Sequence, residues 1–193
     1  TMTVGEAARL MKQGKFGAIM VVENGSLVMK ARKTSEGEEW GLANTSEQKN
    51  FYLEAKVTTG DTCTGLDRYG LLARAPDPNK GYVYSFSCDG RFRLYQWDGE
   101  HYNPLQEWKA SAFILSGPNQ TNLIGIWVKG STIKLYANRK LLGEYTDTSF
   151  TKGRFGLLIG APNTENLKMF VEEIAYWKLP DWASENFVSG KRD

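Results

Sequence analysis

Two aromatic-rich runs, Gly81 to Cys88 and Arg91 to Trp97, are joined by Asp89-Gly90. Asp-Gly between two β-forming runs is the strongest short-range hairpin signal, because a type I′ turn needs positive φ at both central residues. A two-residue turn at Asp89-Gly90 predicts that Phe86 faces Arg93, Tyr84 faces Tyr95 and Tyr82 faces Trp97. Alternate residues of a strand share a face. One face would then carry Tyr82, Tyr84, Phe86, Arg93, Tyr95 and Trp97; the other would carry Val83, Ser85, Ser87, Phe92, Leu94 and Gln96. The first face reads either as core or as a platform for a flat ligand.

The rest of the chain repeats this grammar. Ala18 to Val22 and Leu27 to Ala31 meet across Asn24-Gly25. Phe51, Leu53, Ala55 and Val57 alternate with Tyr52, Glu54, Lys56 and Thr58, the pattern of a half-buried antiparallel strand. Arg68 to Ala75 runs towards the breaker cluster Pro76-Asp77-Pro78-Asn79. A meander follows, with turns at Gly130-Ser131 and Asn138-Arg139. Its aliphatic face is Ile124, Ile126, Val128, Ile133, Leu135 and Leu142, and Trp127, Lys134, Tyr136 and Leu141 point the other way. Arg154 to Gly160 and Leu167 to Lys178 close the set, while Glu100 to Gln106 reads as irregular. About a dozen short strands punctuated by turn residues predict an all-β sandwich or jelly roll. The expected division is one sandwich domain over residues 1–180, with a short helix over 4–13, and a tail over 181–193.

Several function classes are excluded early. Lys and Arg number 24 against 22 Asp and Glu, so the charge is +2 with no long basic run, and a nucleic-acid partner is not expected. No apolar stretch is long enough to span a bilayer. Thr1 reads as a trimmed boundary rather than the start of a leader. Cys63 precedes one strand of the central pair and Cys88 ends the next, so both fall at one end of a sheet. A bond between them would close a loop of roughly 25 residues and contribute about 3 kcal/mol; two free thiols are the alternative.

Asp67-Arg68-Tyr69-Gly70-Leu71-Leu72-Ala73-Arg74, the run from Gly81 to Gly90, Leu135-Tyr136-Ala137-Asn138 and Phe155-Gly156-Leu157 resemble the concanavalin A-like lectin/glucanase superfamily. The likeness is to bacterial laminin G-like and 3-keto-disaccharide hydrolase-like jelly rolls, and it runs from about Asn50 to Lys178. The resemblance implies two curved antiparallel sheets, an extracellular or cell-envelope location and a concave face that binds carbohydrate. It also implies use as an accessory module beside other domains of a larger surface or secreted protein. The opening segment, Met11 to Ala31, lacks the Asp-rich start of such relatives.

The candidate ligand-binding residues are Arg74, Tyr82, Tyr84, Arg93, Tyr95, Trp97 and Trp127, with rings to stack on sugars and arginines to bind hydroxyls. An unpaired Arg93 is costly to bury, which favours the platform reading. The paired-carboxylate motif of family-16 glucanases is missing. Glu172 and Glu173 are adjacent and read as facing opposite ways, and Glu36, Glu38 and Glu39 read as loop. With His101 the single histidine, neither a catalytic triad nor a zinc site is expected. No cofactor is expected: loop aspartates offer oxygens to Ca²⁺ but lack the spacing of a calcium loop. The leading expectation is a non-catalytic module binding a poly- or oligosaccharide. The alternatives are a saccharide hydrolase or lyase using Glu172, Glu54 or Asp67, and a structural protein–protein interaction module.

Overall fold

The short alternating runs form antiparallel strands throughout the described residues, 18–23, 26–31 and 37–180 of a computed structural model. The first seven strands are β1 (Ala18–Glu23), β2 (Ser26–Ala31), β3 (Glu39–Leu42), β4 (Phe51–Thr59), β5 (Arg68–Ala75), β6 (Gly81–Ser87) and β7 (Arg91–Trp97). Then follow β8 (Tyr102–Ala110), β9 (Thr121–Lys129), β10 (Thr132–Ala137), β11 (Lys140–Thr146), β12 (Arg154–Gly160) and β13 (Lys168–Lys178). They make a seven-stranded sheet in the order β1-β2-β13-β4-β9-β10-β11 and a six-stranded sheet in the order β3-β12-β5-β6-β7-β8. The expected helix over 4–13 and the tail over 181–193 lie outside the described residues.

The core is the space between the sheets. Phe51, Leu53, Ala55 and Val57 of β4 project into it as their alternation predicts. So do the aliphatic residues of β9 and β10, whose register across Gly130-Ser131 pairs Lys129 with Thr132 and Val128 with Ile133. From the other sheet come Tyr69, Leu71, Tyr82, Tyr84 and Phe86. Their hydroxyls are satisfied, as buried polar atoms must be. Tyr84 donates to the Tyr136 carbonyl at 3.0 Å, Tyr82 donates to Asp147, and Tyr69 accepts from Asn122 Nδ2 at 2.9 Å. At the open edge, Tyr145 of β11 donates to Gln106 of β8 at 3.0 Å and ties the two sheets together.

The central hairpin adopts a register one residue away from the expected one. Phe86 pairs with Phe92, Ser85 with Arg93, Tyr84 with Leu94 and Val83 with Tyr95. The connection is a three-residue loop, Cys88-Asp89-Gly90. Gly90 N–H donates to Ser87 O at 3.1 Å, Gly90 takes φ +85°, and the Ser87 hydroxyl accepts from Arg91 N–H at 3.0 Å. Asp-Gly suits this turn as well as the two-residue one, since only one residue needs positive φ and it is the glycine. A slip of one residue turns every side chain of a strand over. Tyr82, Tyr84, Phe86, Phe92 and Leu94 therefore share the inner face, and Arg93, Tyr95 and Trp97 point outward.

Three further departures have local causes. Arg154 pairs with Ala75 but Gly156 pairs with Leu72, so Ala73 and Arg74 bulge opposite Phe155. Arg74 takes φ +48° there. Its guanidinium binds the carbonyls of Lys49 at 2.8 Å, Gly130 at 2.7 Å and Phe150 at 3.1 Å, instead of lying on a ligand-binding face as expected from the sequence. A second bulge between Val171 and Glu173 resets the alternation of β13. Met169, Val171, Ile174 and Tyr176 all reach the core, and Glu172 and Glu173 both lie beside Lys56 instead of on opposite faces. Finally, the stretch expected to be irregular is β8, an edge strand, where Pro104 is tolerated because an edge leaves one side of the backbone unpaired.

Cys63 and Cys88 are bonded, with Cα atoms 5.3 Å apart. The bond fastens the turn of the β6–β7 hairpin to the loop before β5. Asp67 completes that corner: it is fully buried and accepts from the backbone N–H groups of Asn163 at 2.8 Å and Thr164 at 3.0 Å.

Candidate functional site

The outward face of the six-stranded sheet is set by alternation and register. One row across it reads Trp40, Leu158, Gly70, Ser85, Arg93; the next reads Leu42, Gly156, Leu72, Val83, Tyr95. Leu72, Val83, Tyr95 and Leu158 form a buried apolar floor, with Trp40, Leu42 and Trp97 packed on its margin. In the first row Gly70 and Ser85 leave a hollow. A side chain at Gly70 is barred, since a Cβ there would lie 2.0 Å from Tyr84 O.

Glu38, just before β3, fills that hollow. Its Oε1 accepts from Arg68 Nε at 2.9 Å, Arg93 Nη2 at 2.9 Å and Ser85 Oγ at 3.1 Å, and its Oε2 accepts from the Tyr95 hydroxyl. Arg68 also donates to the carbonyls of Leu66 at 3.2 Å and Gly37 at 3.1 Å. Two guanidinium groups thus converge on the Glu38 carboxylate. Burial pushes the Glu38 carboxyl up, but Arg93 and Arg68 and the hydrogen bonds from Tyr95 and Arg93 outweigh it and hold it below the usual range. Burial, with the adjacent Glu38, pushes the Tyr95 hydroxyl far up, so it stays a donor.

Aromatic rings enclose Arg93. Its guanidinium carbon lies 4.5 Å from the Trp108 ring centroid, 4.8 Å from Tyr95 and 5.7 Å from Tyr102. Such contacts suit arginine, whose flat, weakly hydrated head stacks on rings. Trp40 and Trp97 are steered by the 76–80 loop: Trp40 Nε1 donates to Pro78 O at 2.6 Å, and Trp97 Nε1 to Asn79 Oδ1 at 3.5 Å. Trp40, Trp97 and Trp108 are half-buried and Tyr102 is exposed, so the face offers rings to solvent beside a charged centre.

The seven residues expected to form one ligand-binding face fall into three environments. Arg93, Tyr95 and Trp97 lie on this outward face. Tyr82 and Tyr84 are fully buried in the core, and Arg74 is 1% exposed among backbone carbonyls, so none of these three meets solvent. Trp127 sits on the outward face of the other sheet, against Tyr52 and beneath Lys134, whose Nζ is 5.3 Å from its centroid. The carboxylates weighed for catalysis are engaged elsewhere. Glu54 accepts from Tyr52 at 2.7 Å, Glu172 pairs with Lys56 and Thr58, and Asp67 caps its loop.

Glu38, Arg68, Trp40, Tyr102 and Trp108 were not among the sequence candidates. No local motif marks Glu38, since it meets its partners across 30 to 57 residues of chain. Polarity offered one usable signal. Pairing the arginines of β7 with the serines of β6, and its apolar residues with the β6 aromatics, gives the observed register.

No family model matches the chain, and no curated protein matches it. Solved structures do. The carbohydrate binding module CBM66 from Bacillus subtilis is 17% identical, with a TM-score of 0.65 over 84% of this chain and 91% of that one. The fold is a concanavalin A-like jelly roll. Bacillus licheniformis β-glucanase superposes with a TM-score of 0.61 at 11% identity, over 88% and 89% of the two chains. Alginate lyase A1-II′, of polysaccharide lyase family 7, gives 0.56 at 8% identity over 86% of each. At these identities the likeness is one of fold. Among the described residues no helix is long and apolar enough to cross a membrane, and no group of His, Cys, Asp and Glu could hold a metal ion.

Proposed function

We propose that this domain is a saccharide-binding module and that the outward face of the six-stranded sheet is its contact surface. The observation that carries the reading is the pairing of half-exposed rings, Trp40, Trp97, Tyr102 and Trp108, with Arg93 on one rigid sheet. Rings bind the apolar faces of sugars, and a fixed guanidinium binds their oxygens. The fold neighbours include a protein titled a carbohydrate binding module, a β-glucanase and an alginate lyase, which supports a saccharide ligand. Binding is favoured over hydrolysis because the carboxylate at the centre of this face, Glu38, is held by four donors, and Glu107 at its margin accepts the Tyr102 hydroxyl at 3.0 Å, so neither stands free as a nucleophile. The Cys63–Cys88 bond fits an oxidising, extracellular or envelope setting, where such modules serve larger proteins.

Affinity electrophoresis against a panel of soluble polysaccharides tests this. At least one glycan should retard the native chain, and Trp40→Ala with Trp97→Ala should abolish the retardation while the fold is kept. Equal retardation of native chain and variant, or none with any glycan, refutes it.

A further inference from the structure

The donor set around Glu38 is built for an anion. Four side-chain groups from three adjacent strands converge on one carboxylate: Arg68 from β5, Ser85 from β6, and Arg93 and Tyr95 from β7. Arginine has donors only, and the Tyr95 hydroxyl is held as a donor. A neutral hydroxyl in this place would turn its own proton towards groups otherwise set to donate, with Ser85 Oγ the readiest to accept it, whereas a carboxylate accepts from all four. The two partners of this contact also differ in how they are held. The donors stand on three neighbouring strands within a six-stranded sheet, while the carboxylate belongs to the residue preceding a four-residue edge strand. One donor is left over: Arg93 Nε is buried and has no hydrogen-bond partner. A carboxylate on a sugar ring carries further oxygens next to it, which Glu38 does not.

Resting on the saccharide-binding reading above, we propose that the hollow formed by Arg68, Ser85, Arg93 and Tyr95 is a subsite for the carboxylate of a uronic acid, and that Glu38 occupies it as a built-in competitor. The ligand class is an acidic polysaccharide, with the uronate carboxylate replacing that of Glu38 and its ring oxygens reaching Arg93 Nε. The rings of Trp108 and Tyr102 flank the same guanidinium and would pack against the sugar. A tethered group competes at an effective concentration on the order of millimolar or above. The native chain therefore binds a single uronate weakly, and an extended ligand adds contacts to Trp40 and Trp97.

The test compares the native chain, Glu38→Ala and Glu38→Gln by calorimetric titration with sodium glucuronate and with glucose. Glu38→Ala should bind glucuronate at least ten-fold tighter than the native chain, with no gain for glucose, and adding Arg93→Ala should remove the gain. Thermal denaturation gives a second readout that survives weakened folding. Glucuronate and acetate should raise the midpoint of Glu38→Ala, chloride should not, and the native chain should not respond. Equal gains for glucose and glucuronate overturn the proposal, as does failure of carboxylates to stabilise Glu38→Ala. So does failure of both variants to fold in either anion, since the hollow would then require its tethered group. If the native chain still binds a polysaccharide through Trp40 and Trp97 in those cases, the saccharide-binding reading stands and only the uronate subsite falls.

Discussion

Leu94→Ala and Trp97→Ala should rank in the opposite order to their sizes. Leu94 is fully buried on the inner face of β7, between the sheets. Removing three carbons from it forfeits about 0.8 kcal/mol per methylene in transfer free energy. The unfilled cavity raises the total to roughly 3–4 kcal/mol, within the range of buried Leu→Ala changes. Trp97 is larger, but it lies half-buried at the margin of the outward face, and its indole makes one long hydrogen bond of 3.5 Å. Its truncation should cost about 1–2 kcal/mol. Urea denaturation followed by tryptophan fluorescence and circular dichroism gives both values. With a slope of about 2–3 kcal/mol per molar, Leu94→Ala should lower the midpoint by about 1–2 M and Trp97→Ala by roughly 0.3–1 M. A Trp97→Ala loss equal to or above that of Leu94→Ala would refute the three-residue turn and the face assignment built on it.

The Cys63–Cys88 bond closes a separation of 25 residues, which corresponds to about 3.5 kcal/mol of denatured-state entropy; replacing both by serine should lower the urea midpoint accordingly, and an unchanged midpoint would show the link to be energetically idle. Glu38 should make stability depend on acid. Its folded pKa lies below the ordinary value of 4.5, so its contribution is complete above that pH and is lost as pH falls through the folded value. Thermal midpoints from about pH 6 to about pH 3 should therefore fall less steeply for Glu38→Gln than for the native chain, and parallel slopes would count against the buried ion network.

The strands themselves were legible because each is a local pattern. The alternation of Phe51, Leu53, Ala55 and Val57, and the turn at Gly130-Ser131, lead directly to the observed β4 and the observed β9–β10 register. The class of fold follows, since strands this short must stack two sheets to bury their apolar faces. The candidate site was legible only in part. Arg93, Tyr95 and Trp97 were singled out by residue type, but they were grouped with Tyr82 and Tyr84, which the structure buries. The Asp89-Gly90 pair is compatible with a two-residue or a three-residue turn, and the choice rests on which face of β7 the opposing sheet can bury. The bulge at Arg74 is likewise invisible locally, because its cause is a guanidinium meeting carbonyls from three distant loops.

The sequence by itself determined a disulfide-capable, all-β chain of near-neutral charge, rich in rings suited to sugars, because turn chemistry and period-two alternation act over a few residues. Only the tertiary structure decided which rings face solvent, and that Glu38 lies among Arg68, Ser85, Arg93 and Tyr95. A buried charge is tolerated only where its counter-charges converge. Here they converge from β5, β6 and β7, strands that become neighbours only when the sheet forms.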